Sequence, residues 1–355
     1  MTSSKNRLVF GTITLACFAA SHVLAHSPAN GSHSRPDSHA PAGMMYEHMH
    51  KKGEWMLGYN IQRLTHDGAY YHGTKKVNAH DALLGDYSML TDKHQMDMHM
   101  LHLMYAVSDD FTLMLMPMYM SMDMDMSGNP HYVADAHGGH HDHHSGGHGA
   151  HSHGVDGWGD TVISGSYRLF DNGVNHWMAT LAISAPTGDY KKKGSDGKPV
   201  HYGMQLGAGV WQVIPSITYT HTQGAVKFGA QVSSRHHLFD DRNDLGYYQG
   251  EQRQLTGWTS YMWNHNVSSS LRVAYTKTDS MAGHYNVSHN HSSPADIQGN
   301  YGGEQTLAGV GLNVIIPVAG GIRGGVEYMV PIKENLNGVQ QQTKNLWNFS
   351  FSKAF

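Results

Sequence analysis

The sequence predicts an all-β chain, an antiparallel up-and-down transmembrane β-barrel of about twelve strands with short periplasmic turns and long external loops. Three observations carry that prediction. The closing residues alternate strictly, with Trp347, Phe349, Phe351 and Phe355 on one parity and Asn348, Ser350, Ser352 and Ala354 on the other. A strand with one aromatic face and one small polar face fits between lipid and a wet lumen. Eleven further segments carry related alternation. The connections between them alternate too, about three to five residues and then roughly 10 to 35, which is the asymmetry of an outer-membrane barrel.

Taken in order, the chain opens with Lys5 and Arg7, an apolar stretch from Leu8 to Ala20, and Val23-Leu24-Ala25. This reads as a secretory signal peptide over residues 1–25, with an apolar core of about 13 residues, too short to span a bilayer as a helix. Cys17, the one cysteine, lies inside it, so the mature chain is expected to carry no disulfide and no lipid anchor. Residues 26–52, with His26, His33, His39, His48 and His50, are expected to be a periplasmic segment, and residues 53–355 the barrel.

The first strand is expected over Glu54–Thr65, where Trp55, Leu57, Tyr59 and Ile61 alternate with Met56, Gly58, Asn60 and Gln62. Gln95–Val107 and Phe111–Met122 meet at Ser108-Asp109-Asp110. Asp160–Phe170 and His176–Ala185 meet at Asp171-Asn172-Gly173, a strong hairpin signal. The pairs Gln205–Thr220 with Ala225–His236, Gln252–Trp263 with Val267–Thr278, and Gln305–Ile316 with Ile322–Ile332 follow before the closing strand. An even strand count leaves both ends of the chain on the periplasmic side. Thr65–His94, Asp123–Gly159, Pro186–Met204, His237–Glu251, Asp279–Glu304 and Lys333–Thr343 are then the external loops.

Composition narrows the class. A formal charge of −4 leaves no nucleic-acid footprint. The mature chain has no run of 18 apolar residues, which excludes a helical membrane protein. A mean hydropathy of −0.46 does not exclude a barrel, because lipid-facing and lumen-facing residues cancel in any window. The expected setting is the outer membrane of a Gram-negative bacterium, with lipid and small solutes or metal ions as partners.

The external loop over residues 127–157 holds nine histidines: His131, His137, His140, His141, His143, His144, His148, His151 and His153. Imidazole is a common transition-metal ligand, and glycine lets a loop fold around an ion. No cofactor is required by any motif; copper or zinc is the ion class such a loop would hold, and the alternative is a hydrophilic low-complexity loop.

Half of the 22 methionines fall on the hairpin that feeds it. Met96, Met98, Met100 and Met104 share a face with His102, and Met114, Met116, Met118 and Met120 share one on the next strand, continued by Met122, Met124 and Met126. Two orientations stand open. The thioethers and His102 line the lumen, where soft sulfur suits Cu(I), or they face lipid and leave Asp97 and His99 inside.

Arg168, Lys227, Arg235, Arg272, Arg323 and Glu327 fall on inward positions. A charge facing lipid at mid-depth costs about 2–4 kcal/mol, so they are expected in the lumen, as solute-facing charges or as bracing ion pairs. There is no GxSxG, HExxH or P-loop, and no enzyme is expected.

Gly43–Gly58, Met96–Tyr105, Phe111–Met120, Ala185–Asp189, Met204–Tyr219, Asn243–Trp258 and the closing aromatic strand together resemble the outer-membrane β-barrel family of meta-pathway phenol-degradation transporters. The resemblance implies a channel or transporter with no catalytic residue to carry over. The methionine motifs resemble family features, whereas the histidine loop is an addition to that pattern. The leading expectation is an outer-membrane channel for small solutes that binds copper through its loop and methionine hairpin. The competing ones are an uptake channel for small aromatic or hydrophobic compounds, and a non-transporting surface protein that buffers metal.

Overall fold

The computed structural model describes residues 35–78, 81–132, 151–239 and 242–355. Its wall is a closed antiparallel β-barrel. β1 is Trp55–Gly73 and β2 is Met89–Ser108; β3 comprises Phe111–Met116 and Met118–Gly128, and β4 comprises His151–Trp158 and Thr161–Asp171. Then come β5 Asn175–Ala185, β6 Gln212–Gln223, β7 Val226–His237, β8 Gln252–Met262, β9 Val267–Thr278 and β10 Gly303–Ile316. The last run, Ile322–Ala354, is continuous in extended structure but doubles back near Gly338, whose φ of 54° suits glycine. Its two limbs are β11 and β12. They face each other through the rings of Tyr328 and Trp347, 4.5 Å apart, and through Asn348 Nδ2, which donates to Glu327 Oε2 at 3.0 Å. Counted this way, twelve staves stand among the described residues.

Each stave pairs with its sequence neighbours, and β1 closes the circle by pairing with both β2 and β12. Trp55 N donates to Phe355 O at 3.0 Å, and Phe355 N to Trp55 O at 2.9 Å, so the start of the barrel is tied to the end of the chain. Closure removes the unpaired edges that an open sheet would expose in lipid.

The alternation does what the sequence requires of it. Along β5, Leu181 is 55 % exposed and its neighbour Ala182 is 0 %. Leu101, Leu103, Leu113, Leu115, Phe228, Leu271, Trp347 and Phe351 form part of an exposed apolar outer band, while Thr112, Ser164, Thr180, Thr218, Thr256 and Asn348 are buried inside.

Two neighbouring staves are broken at one level. Pro117 has no N–H to give to the ladder, and Gly159-Asp160 interrupts β4 beside it. The breach is held by single bonds, from Leu101 N to Pro117 O at 3.1 Å and from Gly159 N to Met118 O at 2.8 Å.

Several expected boundaries are corrected. Residues 65–73 and 89–94 belong to strands, because β1 and β2 run 19 and 20 residues, well beyond the 9–11 needed to cross a bilayer. Residues 123–128 and 151–158 likewise extend β3 and β4 upward as a paired ribbon. Lys333–Thr343 is not a loop but the hairpin end of β11–β12. Residues 205–210 leave the wall and fold inward, so β6 begins only at Gln212. The segment expected in the periplasm takes another course: residues 35–50 enter the lumen. Residues 1–34, including the expected signal peptide, His26 and His33, lie outside the described residues.

Candidate functional site

The lumen is built from one sulfur-rich wall, one amide- and hydroxyl-rich wall, and a stopper at each end. On the sulfur-rich side the even-numbered residues of β3, and of β2 beyond the register shift at Thr91/Lys93, point inward. Met104, Met114, Met116, Met120, Met122, Met124, Met126 and His102 are all buried, whereas Leu101, Leu103, Leu113 and Leu115 face out. Of the two orientations open in the sequence, the structure takes the lumenal one. Asp97 and His99 are on the outer face, where Arg63 Nε contacts Asp97 Oδ1 at 2.7 Å and Tyr59 Oη contacts His99 Nδ1 at 2.7 Å. The thioethers sit directly opposite one another across the strands, as Met96 with Met122, Met98 with Met120, Met100 with Met118, Met104 with Met114, and Met56 with Met104.

Between the stoppers lies a cavity of about 430 Å³. Met96, Met98, Met100, Met118 and Met120 line one side of it, and Gln231, Ser233, Gln254 and Arg235 the other. That volume accommodates one small molecule.

The outer stopper is the external segment between β5 and β6. Asp160, at the break in β4, accepts from Gly188 N at 2.9 Å and from Ala208 N at 2.8 Å, which folds the segment over the lumen. Val200, Met204 and Leu206 then pack on Met120, Met122, Met124 and Met126. Above them Tyr202 stacks on Tyr285 at 4.1 Å and meets Tyr247 edge-on at 4.9 Å, joining three external loops. Burial raises the phenols of Tyr202, Tyr247, Tyr285 and Tyr301 above their ordinary value.

The inner stopper is residues 35–50, and the wall grips it mainly by its carbonyls. Arg323 Nη1 donates to Arg35 O at 2.9 Å, Lys227 Nζ to Ser38 O at 2.8 Å, Asn313 Nδ2 to Ala40 O at 3.2 Å, and Gln231 Nε2 to Met45 O at 2.8 Å. Gly43 N in turn donates to Glu327 Oε2 at 3.1 Å. This segment brings His39, Glu47 and His48 together, with possible ligand atoms within 4.8 Å of one another. Burial, with the charges of His48, Arg323, His50 and Lys227, holds the His39 imidazole well below its ordinary value and therefore neutral. Burial alone would raise Glu47, but its contacts with His48 and the charge of Lys227 outweigh that and leave it lowered.

The expected lumenal charges are all on the inner side, in the role of braces. Arg272 Nε lies 2.8 Å from Glu327 Oε1, and Arg235 Nη1 donates to Gln212 Oε1 at 3.1 Å. Arg168 contacts Asp171 at 2.5 Å near the periplasmic mouth. The histidine group is only partly described. His131 N donates to Asn129 Oδ1 at 3.0 Å, and the His153 ring lies 6.2 Å from that of His201, whose Nδ1 is 2.7 Å from Asp296 Oδ1. His137, His140, His141, His143, His144 and His148 lie outside the described residues, as does the side chain of His151. The inner stopper and the tyrosine cap were not expected as parts of a site. The one sequence signal for the stopper is a histidine- and methionine-bearing stretch, Met44 to His50, with no strand pattern.

The crystal structure of an outer membrane channel from Pseudomonas putida F1 is similar at a TM-score of 0.57 and 16 % identity, covering 87 % of this chain and 98 % of that one. The transport unit of the autotransporter AIDA-I from Escherichia coli is similar at a TM-score of 0.44 and 11 % identity, over 87 % of this chain and 92 % of that one. A mutant of the TodX monoaromatic hydrocarbon channel gives 0.44 and 11 %, over 86 % and 91 %. No curated protein sequence matches the chain. The protein has the fold of outer-membrane barrels. The family model described as "Putative MetA-pathway of phenol degradation" matches residues 110–316, more than half of the sequence, and the chain belongs to that family.

Proposed function

We propose that this barrel is an outer-membrane channel for small, weakly polar solutes of about the size of one aromatic ring. The observation that carries the reading is the cavity of about 430 Å³ with a thioether wall. Methionine is flexible and polarisable, and it makes favourable contacts with aromatic faces and edges. The facing glutamines and serines supply hydrogen bonds for one hydroxyl. The family description, which refers to phenol degradation, supports the same solute class. Both stoppers lie across the path, so passage requires each of them to move. In proteoliposomes the purified barrel should admit phenol-sized solutes faster than a sugar of similar mass; equal rates, or none for either, would refute the reading.

A second reading has its own observation. The direct cross-strand methionine pairs form a ladder of soft ligands suited to Cu(I), and the external histidine loop would be the place where ions are captured. Replacing Met96, Met98, Met118 and Met120 by leucine keeps bulk and apolarity and removes sulfur. Under the aromatic reading solute flux persists, weakened by the lost sulfur–aromatic contacts of about 0.3–1.5 kcal/mol each; under the copper reading, Cu(I) binding measured by chelator competition is lost.

A further inference from the structure

We propose that His39, Glu47 and His48, on the segment inside the barrel, form a binding site for one divalent transition-metal ion of the Zn(II) or Cu(II) class. This site is separate from the external histidine loop and stands independently of the solute reading.

The geometry is that of a small pre-assembled ligand set. The His39 and His48 rings are 4.0 Å apart between centroids, and Glu47 Oε1 lies 2.6 Å from His48 Nδ1 and 3.7 Å from His39 Nδ1. The His50 ring is 5.0 Å from that of His48. Glu47 is 8 % exposed, and its Oε2 is buried with no hydrogen-bond partner, as is His48 Nε2. Buried polar atoms are nearly always satisfied, and an unsatisfied pair on adjacent residues points to a missing partner. A cavity of about 60 Å³ adjoins these groups, enough for an ion with one or two waters rather than an organic solute. His102 of the wall lines the same cavity, and its Nε2 is buried without a partner.

The surrounding charge selects the class of ion. Lys227 and Arg323 bind the segment on either side, and Asp37 is neutralised by Arg35 at 2.8 Å, so one carboxylate faces the site. Calcium and magnesium need several oxygen ligands, which this set does not offer. Imidazole nitrogens with one carboxylate suit zinc or copper, whose bonds to nitrogen offset the nearby positive charge. A bound ion would tie residue 39 to residues 47 and 48 and close the segment into a loop.

The test uses the full-length barrel in detergent, with His26, His33, His131 and the histidines from His137 to His153 replaced by asparagine to silence other ligands. After chelator treatment, Zn(II) titration should give about one ion per chain, with no response to Mg(II). His39→Ala and His48→Ala should each weaken binding at least about tenfold, in proteins whose heat-modifiable gel mobility reports a folded barrel. Co(II) added to the same parent, which needs no substitution in the site, should develop visible d–d absorption bands of low-symmetry nitrogen–oxygen coordination. A parent that binds no Zn(II), variants that bind as tightly as the parent, or Co(II) that keeps the spectrum of the aqueous ion would each overturn the proposal.

Discussion

Arg272 on β9 reaches over β10 to Glu327 on β11, with two nitrogen–oxygen contacts of 2.8 Å. Glycine makes the reach possible. Gly309 sits opposite both Arg272 and Met329, and Gly311 sits opposite Glu327. A Cβ on Gly309 would lie 2.5 Å from Met329 Cγ, and one on Gly311 would lie 2.5 Å from Ser270 Oγ. The pair also holds the inner stopper, since Glu327 accepts from Gly43 N and Arg272 Nη1 lies 3.1 Å from Met44 Sδ.

Removing one partner of a buried pair strands the other charge, at a cost of about 3–5 kcal/mol. Arg272→Met alone should therefore destabilise the barrel strongly, and adding Glu327→Gln should recover most of the loss. Urea unfolding followed by tryptophan fluorescence measures both; strictly additive losses would contradict the pairing.

At Gly43 the stopper passes close against the wall, with no room for a side chain. A Cβ there would lie 2.5 Å from Asn348 Nδ2 and 2.6 Å from Glu327 Oε2. Gly43→Val should displace the segment while leaving the wall assembled. Single-channel conductance in planar bilayers should rise, with gel mobility of the folded form unchanged; conductance equal to the parent's would show that the segment does not limit the pore.

Asp160 is the hinge pin of the outer stopper. Asp160→Ala leaves the amides of Gly188 and Ala208 without their acceptor, at about 1–3 kcal/mol for each. Protease cleavage between residues 189 and 206 on intact cells should accelerate, and solute flux should rise with it. Unchanged cleavage would place the hold on this segment elsewhere.

The tyrosine cap gives a pH signature with a fixed sign. Burial raises the phenols of Tyr202, Tyr247, Tyr285 and Tyr301, so the folded form keeps its protons longer than the unfolded chain. Stability from this source is fully present below the unfolded value of about 10 and is lost as pH rises through the raised values. Tyrosinate absorbance of the intact barrel should lag behind that of the denatured chain; superimposable titrations would mean the cap is open in solution.

The sequence made the barrel legible because lipid and lumen demand opposite chemistry at successive residues. That demand ends at the membrane surface, which is why β1 runs to Gly73 and the β11–β12 hairpin was read as a loop. The inward aim of the methionines was not legible from their own pattern, because a thioether tolerates either side. What decides it is the row Leu101, Leu103, Leu113 and Leu115, which occupies the outer face. The inner stopper left no readable pattern, since the wall grips backbone oxygens that every residue carries. Asp160 gave no signal either, as its partners lie 28 and 48 residues away.

The grip on carbonyl oxygens has an evolutionary consequence. Arg323, Lys227, Asn313 and Gln231 recognise the path of residues 35–46 and are indifferent to most of its side chains. Such a socket accepts any insert that can follow the same path with a glycine at position 43. Mutation in this one short stretch would therefore change the chemistry presented inside the pore, from imidazole to carboxylate to plain hydrocarbon, without redesigning the wall.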